Sequence, residues 1–255
     1  MSPGPKKARL DTSLVERGLV ASRERARALI LAGDVRVNGQ VATKAGMPVG
    51  AEAELALSVP DHPYVGRGGL KLAHALDSFG IDVRGRLALD VGASTGGFTD
   101  VLLQRGAARV VALDVGHGQL DWKIRSDPRV VVLERVNARS LKRTDLPPDV
   151  TRFGIVTIDV SFISLRHILP VVPPLLEAGG DVVALVKPQF EATREEVGKG
   201  GIIRDPAVQT RVVEEVAAAA DTLGLSRAAS VDSPITGMEG NREILLHLRA
   251  ASAKH

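Results

Sequence analysis

None of the 255 residues is a cysteine, so disulfide frameworks and thiolate metal sites are excluded and a reducing, cytoplasmic location is expected. Aromatic residues make up 3% of the chain, with one Trp and one Tyr. That scarcity argues against a stacking platform for single-stranded RNA, and Trp122 is expected to be packed rather than stacked on a base. No apolar run approaches the ~20 residues of a spanning helix. The opening "MSPGPKKARLDTSL" carries basic residues without an apolar segment behind them, so it does not read as a secretory leader. Six histidines are scattered without ligand spacing, and no metal is expected.

What is present is a 44% hydrophobic composition, enough for a sizeable core in one large domain or one ordinary domain plus a small one. The net charge of +3 is unevenly placed: residues 1–59 hold nine Lys/Arg against six Asp/Glu, and the rest balances. Positive charge gathered in a short segment suits a phosphate backbone, whose neutralisation releases counterions.

That segment reads as two helices and a hairpin. "LDTSLVERGL" has Leu10 and Leu14 on one face, Asp11 as a cap and Gly18 as a stop. In "SRERARALILAGDV", Ser22 can cap, Ala26, Leu29 and Ile30 form the buried stripe, and Gly33 ends the helix. Arg23 and Arg27 are then one turn apart near a helix N-terminus, which already favours anions. "VRVNGQVA" turns at Asn38-Gly39, a strong hairpin signal.

The stretch "RLDTSLVERGLVASRERARALILAGDVRVNG" resembles the alpha-L RNA-binding module of a ribosomal small-subunit protein, pseudouridine synthases and tyrosyl-tRNA synthetases. The resemblance implies an RNA-facing surface that includes Arg23, Arg27, Arg36 and Asn38. "SVPDHPYVGRGGLKL" crowds two prolines and three glycines into ten residues. The expected organisation is therefore a small α+β RNA-binding domain over 1–59, a linker over 60–69 and a second domain over 70–255.

In the second domain short apolar runs, "LALDV", "RVVALDV", "RVVVL", "GIVTIDV" and "DVVALV", alternate with amphipathic stretches. Near-continuous apolar strands separated by helices predict a doubly wound α/β fold around a parallel sheet, with its ligand beyond the carboxyl ends of the strands. After the first strand comes "DVGASTGGFTD", whose missing side chains let a ligand lie against backbone amides. The spacing departs from the dinucleotide fingerprint G-x-G-x-x-G. It resembles motif one of S-adenosylmethionine (SAM) methyltransferases of the FtsJ type. Asp114, ending the second strand, can accept ribose hydroxyls of either cofactor. The resemblance implies a Rossmann-like SAM site drawn from Asp90, Gly92, Ser94, Thr95, Gly96, Gly97, Phe98, Asp114 and Asn137.

Four further residues fall where segments can converge at the cofactor end of the sheet: Lys71 at a helix start, Asp159 after the fourth strand, Lys187 after the fifth, and Glu243 before a late strand. This ordered set resembles the Lys-Asp-Lys-Glu tetrad of FtsJ-type ribose 2′-O-methyltransferases. With "VGRGGLKL", "GHGQLDWKIRSDPRV", "VKPQFE", "GKGGIIRD" and "SPITGMEGNRE", the chain resembles the TlyA family of ribosomal-RNA 2′-O-methyltransferases over residues 9–248. That implies SAM as methyl donor, cytidine ribose as acceptor, and ribosomal RNA or ribosomal subunits as partners. Lys187 is the expected group for the hydroxyl proton or the developing alkoxide, and its sequence leaves base and electrostatic roles open. Rival readings are a cytolysin, since the family has been labelled haemolysin, and a ribosome-assembly factor without transfer activity. Oligomeric state is not legible.

Overall fold

The computed structural model describes residues 7–31, 33–58, 62–237 and 239–252. The chain divides after Arg67 into two compact units.

The first unit contains β1 (Ala8–Arg9), α1 (Leu10–Glu16), α2 (Arg23–Leu31), β2 (Val35–Val37), β3 (Gln40–Val41), β4 (Pro48–Val49) and β5 (Leu55–Leu57). β1 pairs antiparallel with β4, and β2 lies between β3 and β5 in an antiparallel sheet. The apolar stripe behaves as its spacing requires: Leu10, Leu14, Ala26, Leu29, Ile30 and Val35 are buried together. Ser22 accepts the Arg25 amide at 3.1 Å, as a cap does. Asp11, by contrast, is no cap. Helix α1 begins two residues earlier than that cap would set, at Leu10 with Arg9 in the cap position, and the Asp11 carboxylate meets arginines instead. Asn38 and Gly39 both adopt left-handed backbone, φ 51° and 79°, the pair of angles that a two-residue hairpin turn demands.

The second unit comprises α3 (Gly68–Phe79), β6 (Leu87–Val91), α4 (Gly97–Gln104), β7 (Arg109–Asp114), α5 (Trp122–Arg125), β8 (Val130–Glu134), β9 (Phe153–Ile158), β10 (Leu176–Val186), α6 (Pro188–Glu191), α7 (Pro206–Asp221), β11 (Leu225–Asp232) and β12 (Ile244–Ala250). Gly68 and Gly69, counted above in a linker, are the first residues of α3; positions 60 and 61 of that linker lie outside the described residues.

The seven strands lie in the order β11-β12-β10-β9-β6-β7-β8. The chain runs outward from β6 through β8, then returns to β9 on the other side, so the switch point falls between β6 and β9. The sheet is not wholly parallel. β12 runs antiparallel to both β10 and β11, a direction that an apolar run cannot reveal. Nor does a helix fill every crossover. Short 3-10 turns at residues 138–145 and 165–175 connect β8 to β9 and β9 to β10. Pro170, Pro173 and Pro174 remove the amide donors that a longer helix in the second of these would need.

Candidate functional site

Strand β6 delivers Asp90 and the glycine loop to the carboxyl end of the sheet. Asp90 is wholly buried, and its two oxygens accept Thr99 Oγ1 at 2.7 Å and Thr157 Oγ1 at 3.0 Å. Burial pushes its carboxyl up to about 6, against the two threonine bonds. Asp90 therefore braces the loop from beneath. Above it Gly92 sits at φ 86°, where a Cβ would stand 2.9 Å from the Asp159 carbonyl carbon and closer still to its oxygen. Gly96, at φ 97°, would press a Cβ to 2.9 Å from Leu120 Cδ1. The loop is thus closed against β9 on one flank and against the segment before α5 on the other.

Asp114 closes the strand-end site. One carboxylate oxygen accepts the Ser94 amide at 2.8 Å and the other the Gly116 amide at 2.7 Å. Each keeps a second lone pair, which is what a ribose diol needs. Ser94 holds φ 47°, the Thr95 carbonyl accepts the Asp121 amide at 3.1 Å, and Gly97 opens α4. Phe98 is buried in the core. Asn137, beyond β8, is exposed and uses its side-chain oxygen to cap a 3-10 turn through the Arg139 amide. A narrow cleft lined by Ala93, Ser94, Asp114, Gln119, Leu120 and Glu134 runs along these strand ends.

The Lys-Asp-Lys-Glu residues assemble as two ion pairs. Lys71, in the first turn of α3, lies 2.5 Å from Glu243 Oε2, and both side chains are buried. Lys187 Nζ lies 2.7 Å from Asp159 Oδ1 and donates to Ser161 Oγ at 2.9 Å. The β10–β12 register pairs Val186 with Ile244, so Lys187 and Glu243 are the next opposed positions where the two strands leave the sheet. Asp159 follows β9 directly and donates its amide to the Val91 carbonyl at 2.9 Å. The Lys187–Asp159 pair therefore stands beside the glycine loop, and the Lys71–Glu243 pair next to it at the same end of the sheet. Each lysine is compensated by a carboxylate, which is how a charge stays buried.

Several supporting residues escape a reading of sequence. Asn241, almost wholly buried, accepts the Ile203 amide at 3.0 Å and donates to the Gly201 carbonyl at 2.8 Å, fastening "GKGGIIRD" to the turn before Glu243. In that turn a Cβ on Gly237 would come within 2.8 Å of Glu243 Oε1. Glu191 accepts Ser164 Oγ at 2.6 Å and the Leu165 amide at 2.7 Å, tying α6 to the loop that carries Ser161. In the same loop Phe162, at φ 64°, is 90% exposed, with Phe190 at a ring distance of 5.2 Å. Trp122, expected to be packed, is 76% exposed: the four-residue α5 buries only Ile124. Aromatics are few, but two of them stand in solvent.

In the first unit Arg23 and Arg27 come together. Their side chains, 50% and 57% exposed, reach the same oxygen of Asp11 at 3.2 and 3.1 Å. Arg36 instead closes its own turn, donating to the Gly39 carbonyl at 3.0 Å. Asn38 accepts the Glu54 amide at 2.9 Å.

The FtsJ-like methyltransferase family matches residues 64–250 and the S4 domain matches residues 8–55. YqxC of Bacillus subtilis, named as an rRNA methyltransferase, is 50% identical over 245 residues, covering 95% of this chain and 86% of that one. The 16S/23S rRNA (cytidine-2'-O)-methyltransferase TlyA of Mycobacterium tuberculosis is 47% identical, with coverage of 96% and 90%. A solved structure of a hemolysin-named protein from Streptococcus thermophilus superposes with a TM-score of 0.76 at 44% identity, covering 97% of this chain and 90% of that one. Among the described residues no helix is long and apolar enough to cross a membrane.

Proposed function

The chain belongs to the FtsJ-like methyltransferase family, with an S4 domain ahead of the enzyme unit, and from that premise we propose that it methylates the ribose 2′-hydroxyl of cytidine in ribosomal RNA, using SAM. The reading is carried by one observation: two lysine–carboxylate pairs, drawn from α3 and the ends of β9, β10 and β12, gather at the end of the sheet where Asp159 meets Gly92 of the glycine loop. The relatives named for rRNA cytidine 2′-O-methylation supply the acceptor.

The residues present fit SAM. The glycines let the loop pack flush against β9 and the segment before α5, and Asp114 beside it retains acceptor capacity for a ribose diol. When bound, SAM supplies a methyl group already activated by its sulfonium, so the protein has to orient the ribose and manage one proton. Lys187 Nζ donates one N–H to Ser161 and faces the Asp159 carboxylate at ion-pair distance. A remaining N–H can meet the ribose oxygen and stabilise the charge that develops there as the hydroxyl proton leaves to water. Lys71 and Glu243 form the second ion pair next to Lys187 across the β10–β12 register, and exposed Phe162 offers a face to the base.

The test is methyl transfer from tritiated SAM to isolated small and large ribosomal subunits, followed by mapping of the modified nucleotide. Transfer should be SAM-dependent and localise to a cytidine 2′-oxygen. Lys187→Ala should lower single-turnover transfer by ~100-fold or more while calorimetry finds SAM affinity unchanged. Near-normal turnover in that variant would remove Lys187 from the site, and wild-type protein that binds subunits without labelling them would leave an assembly factor.

A further inference from the structure

The first unit contains a carboxylate that an RNA-binding surface has no evident use for. Asp11 is 0% exposed, yet it lies in the first turn of α1 beneath three half-exposed arginines. Arg9 donates to both its oxygens at 3.0 Å, Arg23 Nη2 reaches Oδ2 at 3.2 Å, and Arg27 Nε reaches the same oxygen at 3.1 Å. The Thr12 amide completes the set at 2.9 Å. The arginines come from β1 and from two successive turns of α2, and meet only at this carboxylate.

Two consequences follow from elementary electrostatics. Arg23 and Arg27 are like charges four residues apart on one helix, an arrangement that repels; Asp11 offsets that repulsion, as it does the approach of Arg9. It also fixes side chains whose freedom would otherwise be lost on binding an anion. Only one or two of the five N–H groups of each guanidinium are spent on Asp11. The rest point elsewhere on a surface that keeps three positive charges against one negative.

We propose that Asp11 is a positioning residue that presets Arg9, Arg23 and Arg27 as a single clamp for the phosphodiester backbone of RNA. The inference rests on the RNA-binding reading of this unit. It adds Arg9, which spacing did not single out, and a buried anion whose effect runs against net charge.

That opposition supplies the test. Simple Coulomb attraction predicts that Asp11→Asn, by removing a negative charge, tightens RNA binding; a positioning role predicts the reverse. Binding of the full-length protein to isolated small and large ribosomal subunits is measured over a salt series, with SAM affinity and melting temperature as folding checks. Asp11→Asn should weaken binding about tenfold, the loss expected of one well-oriented charge-assisted contact, with SAM affinity unchanged. The loss should vanish when Arg9, Arg23 and Arg27 are all Gln, because Asp11 acts only through them. Tighter or unchanged binding by folded Asp11→Asn overturns the proposal. Where that variant does not fold, the three single Arg→Gln variants decide: losses that are each nearly as large as the triple loss support a clamp acting as a unit, and independent, additive losses overturn it. Wild-type protein with no affinity for either subunit would instead sink the RNA-binding reading. Wild-type binding matched by the triple Gln variant would sink this inference alone.

Discussion

At the scale of single residues, burial separates charges that work by contact from those that work by support. Lys187 and Lys71 are held by carboxylates at the open end of the sheet, whereas Asp90 relies on two threonines. Its carboxyl, raised by burial to about 6, binds a proton more readily in the folded chain than in the unfolded one. The stabilisation from that proton is complete below the ordinary carboxylate range and is lost as pH rises through about 6, at most about 3 kcal/mol. Asp90→Asn stays neutral throughout. Its melting temperature relative to wild type should therefore rise between pH 4.5 and 8, measured by scanning calorimetry, and a difference that does not change with pH would refute a strained Asp90 anion.

At the scale of elements, the loop between β6 and α4 is constrained from both sides. Gly92 combines a left-handed backbone with a carbonyl where its Cβ would be, so Gly92→Ala asks for two adjustments at once, costing ~1–3 kcal/mol or more. The expected outcome is a melting temperature several degrees lower together with loss of calorimetric SAM binding. Asp114 should remain able to hold Ser94, so the fold should survive. A Gly92→Ala protein that binds SAM normally would show that the ligand does not need this backbone. The β9–β10 crossover illustrates the complementary case: prolines leave it in 3-10 turns, and Glu191 fixes it through Ser164 and Leu165.

At the scale of the molecule, each unit has its own core. Leu10, Leu14, Leu29 and Ile30 belong to the first, and Leu89, Val156, Val182 and Leu246 to the second. Residues 68–255 alone should therefore unfold cooperatively and bind SAM about as tightly as the full chain, while losing affinity for ribosomal subunits. Calorimetry and sedimentation with subunits would check both. Absence of a cooperative transition would mean that the enzyme unit depends on the S4 unit for its fold.

The sequence by itself determined many of the elements and named the candidate site residues. Period-3.6 stripes marked α1 and α2, Asn38-Gly39 marked the hairpin, and apolar runs marked five strands, because these signals are local and set by backbone geometry. Lys71, Asp159, Lys187 and Glu243 were legible as candidates through their order along the chain, which resembles the FtsJ-type tetrad. Only the tertiary structure decided which lysine faces which carboxylate: β12 reverses beside β10 and sets Glu243 opposite Lys187, yet Glu243 pairs with Lys71 of α3 and Lys187 with Asp159. Tertiary structure alone likewise turned Asp11 from a helix cap into a buried hub and left Trp122 in solvent. Burial and pairing between residues far apart in the chain are properties of the packed whole, and no local spacing encodes them.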